Sequence, residues 1–114
     1  MLSIVTQPDG DAVVRIRVTG EIDMGTAGQL NIAVRQALRV RPSEVLIDLG
    51  AVSFLDSSGI RALLIARQDG EGCAATVRVV NAREHVLRVL EITGVRALLE
   101  CLPPASGDTP RWTA

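Results

Sequence analysis

The chain has 114 residues, of which 47% are hydrophobic and 22% are charged, and its formal net charge is −1 at pH 7. This length and composition predict one soluble globular domain. The positive charge is carried by arginines scattered along the chain, so the sequence lacks the basic patch typical of nucleic-acid binding. We find no signal peptide and no apolar run near the roughly 20 residues that cross a bilayer. We therefore expect a cytoplasmic protein without membrane insertion.

The first 42 residues predict a hairpin followed by a helix. Leu2–Thr6 and Ala12–Val18 have strand character, and the turn residues of the segment 8–11 lie between them. In the second strand apolar residues alternate with arginines, which indicates one buried and one solvated face. We predict a loop over Gly20–Thr26 and a helix over Ala27–Val40, which a proline ends.

The centre of the chain predicts a buried strand that leads directly into a helix. Val45–Leu49 is a short apolar run bounded by Gly50, and such a run suits a strand buried on both faces. Asp56 is well placed as the N-cap of the helix that follows, with Ser57 in its first turn. The apolar stripe that follows predicts a helix, which ends at the segment 68–72.

The remaining segments predict one more strand and one more helix. Ala75–Val80 reads as a strand, and Asn81 is predicted to cap the third helix. Val95–Leu102 fits a last short strand or a helical turn, and we predict the strand. The sequence thus predicts a small α/β domain over residues 1–102. Its mixed sheet has four to five strands, with the first antiparallel and the others largely parallel, and three to four helices cover it. We predict a flexible tail over residues 103–114.

Two predicted loops, Gly20–Thr26 and Gly50–Asp56, follow strands and should meet at the carboxyl ends of the sheet, where open α/β sheets usually bind ligands. This placement gathers Glu21, Asp23, Asp56, Ser57 and Ser58 on one surface. An acidic surface with exposed serines and no adjacent base suits a docking site or a modification target. The alternative is purely structural, because such residues are also common helix caps and turn formers.

The sequence offers no catalytic or metal-binding set. Cys73 and Cys101 lack metal-ligand spacing and are predicted to be core residues, and His85 is predicted to lie on a helix surface. A serine hydrolase needs a base beside its serine, and none can be named. We therefore predict no enzyme activity, no cofactor and no metal.

A phosphate on Ser57 would be tolerated by the fold, because helix N-termini favour anions. The same phosphate beside Asp23 and Asp56 would be costly to bury against a partner. Arg61 lies one helical turn after Ser57. It could contact the phosphate or the partner, or it could simply belong to an ordinary solvated helix face.

The motifs GEID at 20–23, VLIDL at 45–49, FLDSSGI at 54–60 and NAREHVLRVLEITG at 81–94 resemble the STAS domain of bacterial anti-sigma factor antagonists. The resemblance runs from Ile4 to Cys101. It implies binding to an anti-sigma factor serine kinase, which frees a sigma factor. It also implies that this kinase phosphorylates Ser57 and that a serine phosphatase reverses the modification. Arg61 departs from the family, because many relatives carry a small residue there.

From the loops and the resemblance together we predict a monomer or weak homodimer with one partner-binding surface. That surface comprises Gly20, Glu21, Asp23, Met24, Asp56, Ser58, Gly59, Ile60 and Arg61. STAS domains also serve in other roles. The alternatives are a scaffold or accessory subunit of a stressosome or transporter complex, and a module that binds a small ligand or nucleotide.

Overall fold

The computed structural model describes residues 1–99, which contain a four-stranded sheet and four helices. The strand order is β1-β2-β3-β4, with β1 antiparallel to β2 and the other neighbours parallel. This arrangement confirms the predicted fold class. The elements are β1 (Leu2–Pro8), β2 (Val13–Ile22), α1 (Ala27–Leu38), β3 (Glu44–Leu55), α2 (Ser57–Gly72), β4 (Thr76–Val80), α3 (Glu84–Ile92) and α4 (Val95–Leu98).

The apolar core lies between the sheet and its helices. Parallel neighbours joined by right-handed crossovers place α1 and α2 on the same face of the sheet, and these two helices pack against each other. The predicted alternation in β2 is confirmed, because Val14, Ile16 and Val18 are buried, whereas Arg17 is exposed and Arg15 is half-buried. The largest side chains that are almost fully buried are Ile16, Ile22, Leu30, Ile47, Leu49, Leu63, Leu90 and Leu99.

β2 and β3 are longer than predicted, because both continue through a glycine. β2 includes Gly20 and ends at Ile22, so the prediction of a loop beginning at Gly20 was wrong. β3 runs through Gly50 to Leu55, so the prediction of a loop over Gly50–Asp56 was also wrong. Their pairing shifts register near Gly20, whose φ of +113° is a conformation that favours glycine. A Cβ there would overlap the carbonyl oxygen of Met1. Gly20, predicted as a partner contact, therefore has a conformational role.

The segment Val45–Leu49 of β3 is buried on both faces, as predicted, except that Leu46 is half-buried, but the second face is covered by polar groups. Asp48 is only 8% exposed on the side opposite the core. Its Oδ2 accepts hydrogen bonds from Arg15 Nη1 at 2.8 Å and from Asn81 Nδ2 at 3.1 Å, and its Oδ1 accepts one from the Gly50 N–H at 2.9 Å. These bonds satisfy the buried charge and join β2, β3 and the end of β4.

Two predictions near the end of the described chain were also wrong. Asn81 does not cap α3: it adopts a left-handed conformation with φ +61°, and Arg83 occupies the N-cap position. Val95–Leu98 is a helical turn rather than a strand, and the Leu99 carbonyl oxygen accepts a hydrogen bond from the Val79 N–H at 3.3 Å. The predictions for Cys101 and for the tail lie outside the described residues.

Candidate functional site

The ends of β2 and β3 lie side by side and bring the two predicted loops together. Ile22 pairs with Leu55, and the Asp56 N–H donates a hydrogen bond to the Ile22 carbonyl oxygen at 3.2 Å. Asp23 and Asp56 are the next residues on these neighbouring strands. The structure therefore brings together the two carboxylates and the start of α2.

Asp56 caps α2, as predicted. One carboxylate oxygen, Oδ1, accepts hydrogen bonds from the N–H groups of Ser58 at 2.8 Å and Gly59 at 3.2 Å. Ser57 is the first residue of the helix and is exposed. Its hydroxyl makes no hydrogen bond within residues 1–99. The cap thus fixes the backbone around Ser57 and leaves the Ser57 side chain open to a partner.

The residues after Ser57 turn progressively into the protein. Ser58 is half-buried, while Gly59 and Ile60 are buried. A Cβ on Gly59 would lie 2.8 Å from Leu55 Cγ and 3.1 Å from Ile22 Cγ2. The first turn of α2 therefore sits directly on the ends of both strands. Gly59 and Ile60, predicted as partner contacts, support the surface from beneath and do not form part of it.

Asp23 organises a tight turn before α1. Its Oδ1 accepts hydrogen bonds from the Gly25 N–H at 2.9 Å and the Thr26 N–H at 3.1 Å. The Thr26 hydroxyl donates to the Glu21 carbonyl oxygen at 2.8 Å and accepts from the Asp23 N–H at 2.9 Å. The turn-forming role, which the sequence left open, is thus present. Sequence reasoning missed Thr26, although a threonine three residues after an aspartate is a turn signal.

We expect Thr26→Val to lower the free energy of unfolding by about 1–2 kcal/mol, because the Asp23 N–H and the Glu21 carbonyl oxygen lose their hydroxyl partner. Thr26→Ser is the matched control, since it keeps the hydroxyl and should restore most of the loss. Urea unfolding followed by circular dichroism measures both variants. Equal stability of the valine and serine variants would show that these hydrogen bonds do not stabilise the turn.

Two exposed apolar residues and one exposed cation lie near the ends of β2 and β3. Met24, at the tip of the turn, is 84% exposed, and Phe54, one residue before the end of β3, is 50% exposed. Sequence reasoning missed Phe54 as an exposed residue, because a single aromatic residue beside the buried Leu55 gives no periodic pattern that indicates which of the two faces solvent. Arg61 is exposed and makes no ion pair within residues 1–99, while Glu21 is half-buried beside the Ser53 hydroxyl.

Among the described residues, 1–99, the geometry pairs no base with Ser57. His85 lies elsewhere: its Nε2 is 2.8 Å from the Ser53 carbonyl oxygen. Among residues 1–99 no three histidine, cysteine or carboxylate side chains form a group that could hold a metal ion. Within the same range no helix has the length and apolar character of a membrane span. Within that range the arrangement presents an unpaired hydroxyl at a helix N-terminus, next to the capping carboxylate of Asp56.

Comparison with known proteins identifies the family. The family model described as "Mlab, STAS domain" matches residues 5–100. The chain belongs to the STAS-domain family. It is 32% identical over 91 residues to anti-sigma-F factor antagonist RsfB of Mycobacterium tuberculosis, a match that spans 80% of this chain and 74% of RsfB.

Solved STAS structures share the architecture. An anti-sigma factor antagonist from Mycobacterium paratuberculosis superimposes with a TM-score of 0.80 at 30% identity, over 95% of this chain and 90% of that one. The unphosphorylated form of the antagonist SpoIIAA gives a TM-score of 0.76 at 20% identity, over 92% and 90% of the two chains. The second match supports the fold alone, whereas the first also agrees with the family assignment.

Proposed function

We propose that this STAS-domain protein is an anti-sigma factor antagonist: it binds an anti-sigma factor serine kinase, frees a sigma factor, and is inactivated by phosphorylation of Ser57. The observation that carries the proposal is the exposed Ser57 hydroxyl on a capped helix start, next to the Asp23 turn. The names of the Mycobacterium relatives support the same function. The proposal implies a cytoplasmic protein that has no catalytic role of its own.

The partner-binding surface in this proposal consists of the exposed and half-exposed residues around the serine. Met24 supplies an apolar contact at the tip of the Asp23 turn, and Arg61 supplies a cation one helical turn after Ser57. Such a surface combines an apolar anchor with a polar rim, as protein interfaces commonly do. Asp23 contributes in two ways, because Oδ1 shapes the turn while Oδ2 makes no hydrogen bond within residues 1–99.

Phosphorylation would act on the interface and spare the fold. A phosphate adds about −1.5 to −2 charges at neutral pH. On the first residue of α2 the helix dipole favours that charge, and the exposed side chain has room for it. Against a bound partner the phosphate would be buried near Asp23 and Asp56, where a further unpaired negative charge is costly. A serine phosphatase would then restore binding.

The test is phosphorylation of the full chain by candidate anti-sigma factor serine kinases from the same organism, with ATP, followed by mass spectrometry of the peptides. We expect one phosphate on Ser57, none on the Ser57→Ala variant, and normal modification of Ser58→Ala, which is the matched control. Binding of the kinase without phosphate transfer would contradict the regulatory part of the proposal. Modification only at another residue would contradict the assignment of Ser57.

A further inference from the structure

β1 forms a sheet edge that the described chain leaves open, whereas the opposite side of the sheet is covered. The Val79 N–H of β4 donates to the Leu99 carbonyl oxygen at 3.3 Å. β3 extends beyond β4, and Arg83 and His85 contact the carbonyl oxygens of Gly50 and Ser53 there, at 2.7 and 2.8 Å. Within residues 1–99, β1 pairs with β2 alone.

The hydrogen bonds at the two ends of β1 show which backbone groups face outward. The Asp9 N–H donates to the Val13 carbonyl oxygen at 2.9 Å, and Met1 accepts from the Glu21 N–H at 3.3 Å. Hydrogen-bonded pairs alternate along an antiparallel ladder, so the odd-numbered residues of β1 bond to β2. Leu2, Ile4 and Thr6 therefore direct both their N–H and C=O groups away from the sheet.

Over residues 2–7 this edge lacks the features that usually prevent pairing between edges. Natural edge strands carry charges, bulges or prolines at such positions. Residues 2–8 of β1 contain no charged side chain, and Val5 is 53% exposed. The proline of the strand, Pro8, occupies its last position and has no N–H to present. The edge is therefore a template for another extended strand.

We propose that β1 pairs antiparallel with β1 of a second copy of this chain, about a two-fold axis at Ile4. In this register Ile4 faces Ile4, and Leu2 faces Thr6 of the other copy. Every outward N–H then meets an outward C=O, which gives six hydrogen bonds. Pro8 lies beyond the last pair, so its missing N–H removes no bond. The result is one continuous eight-stranded sheet.

The self-complementary hydrogen bonds of β1, and the absence of like charges facing each other along the seam between the two β1 strands, favour a second copy as the occupant. Val5 would face Ser3 of the other copy, and neither side chain is charged. The row that begins at Arg15 on β2 continues through Gln7 to Met1 and Glu21 of the other copy. The Met1 ammonium and the Glu21 carboxylate pair with each other, and Arg15 pairs with Asp9 and Asp48 of its own chain. No row across the seam brings two arginines together. Pairing of a single short strand from each copy makes a smaller contact than the interfaces of stable complexes, so the dimer is weak and depends on concentration.

The dimer leaves the Ser57 surfaces free. The two-fold axis reverses the strand directions, so the two β3 strands point in opposite directions. Each Ser57 then lies at its own end of the joined sheet, away from the seam. Dimerisation and partner binding are therefore separate properties, and failure of one does not imply failure of the other.

Sedimentation velocity over a concentration series tests the pairing with two variants at one exposed residue. Thr6→Pro removes an outward N–H from each copy, two of the six bonds, and spares the ladder with β2; Thr6→Val keeps that N–H. We expect wild type and Thr6→Val to approach the dimer mass as concentration rises. Thr6→Pro should raise the dissociation constant at least about tenfold. A wild-type chain that stays monomeric up to millimolar concentration overturns the proposal.

Disulfide trapping tests the register without relying on proline. In a background with Cys73→Ala and Cys101→Ala, Ser3→Cys and Val5→Cys chains are mixed and oxidised. Ser3 and Val5 would face each other as a non-hydrogen-bonded pair with Cα atoms about 4.5 Å apart, which suits a disulfide. We expect covalent dimers in the mixture and few with either variant alone. Equal cross-linking of one variant by itself, or none in the mixture, contradicts this register.

Discussion

We expect Gly59→Ala to lower the free energy of unfolding by about 1–3 kcal/mol, a fall in melting temperature of roughly 5–15 °C. The added Cβ would lie 2.8 and 2.9 Å from Leu55 Cγ and Cδ1, and 3.1 Å from Ile22 Cγ2. Both neighbours are buried, so neither side chain can move freely. The first turn of α2 must lift from the strand ends, or the core below it must shift. Thermal unfolding followed by circular dichroism measures the loss.

Gly28→Ala is the matched control, because Gly28 also lies in the first turn of a helix. A Cβ on Gly28 would have no atom within 4 Å. Both variants gain helix propensity, about 1 kcal/mol when a glycine becomes alanine. The difference between them therefore isolates the contact beneath Ser57. Equal stabilities would show that the first turn of α2 tolerates a side chain at position 59, and that the fit between α2 and the strands is looser than the distances indicate.

The sequence was sufficient to predict the elements whose signals are local. The cap at Asp56 is local because the side chain bonds to the N–H groups two and three residues later. Exposure of Ser57 follows from the same helix start. The alternation in β2 gave the buried face, and the order of strands and helices gave the largely parallel sheet. From these features the candidate site could be placed at the carboxyl end of β3.

The features that could not be predicted depend on contacts distant in sequence. Gly50 looked like a strand end, but pairing between β2 and β3 continues past it. Asp48 looked like part of an apolar run, and the hydrogen bonds from Arg15 of β2 and Asn81 after β4 explain its burial. Asn81 looked like a cap, yet its amide donates to that same Asp48. In each case a tertiary contact outweighed the local preference.

A single negative charge at Ser57 should separate binding from stability. We expect Ser57→Asp to weaken binding of the anti-sigma factor kinase at least about 100-fold, because an unpaired charge buried at an interface costs about 3 kcal/mol or more. The melting temperature should stay within about 3 °C of wild type, since an acidic residue in the first turn suits the helix dipole. Titration calorimetry with the purified kinase measures affinity, and a thermal melt measures stability.

Two further variants make the result specific to position 57. Ser57→Ala removes the hydroxyl and adds no charge, so it should bind the kinase with wild-type affinity. In a pull-down, the Ser57→Ala protein should retain the kinase and the Ser57→Asp protein should not. Gln68→Glu adds the same charge to an exposed position of α2, eleven residues and roughly 16 Å further along the helix, and should also bind normally. If Gln68→Glu weakened binding as much as Ser57→Asp, net charge would explain the effect. A charge on this exposed and capped helix start should weaken partner binding and leave the fold intact. Unfolding of the domain by Ser57→Asp would therefore contradict the prediction.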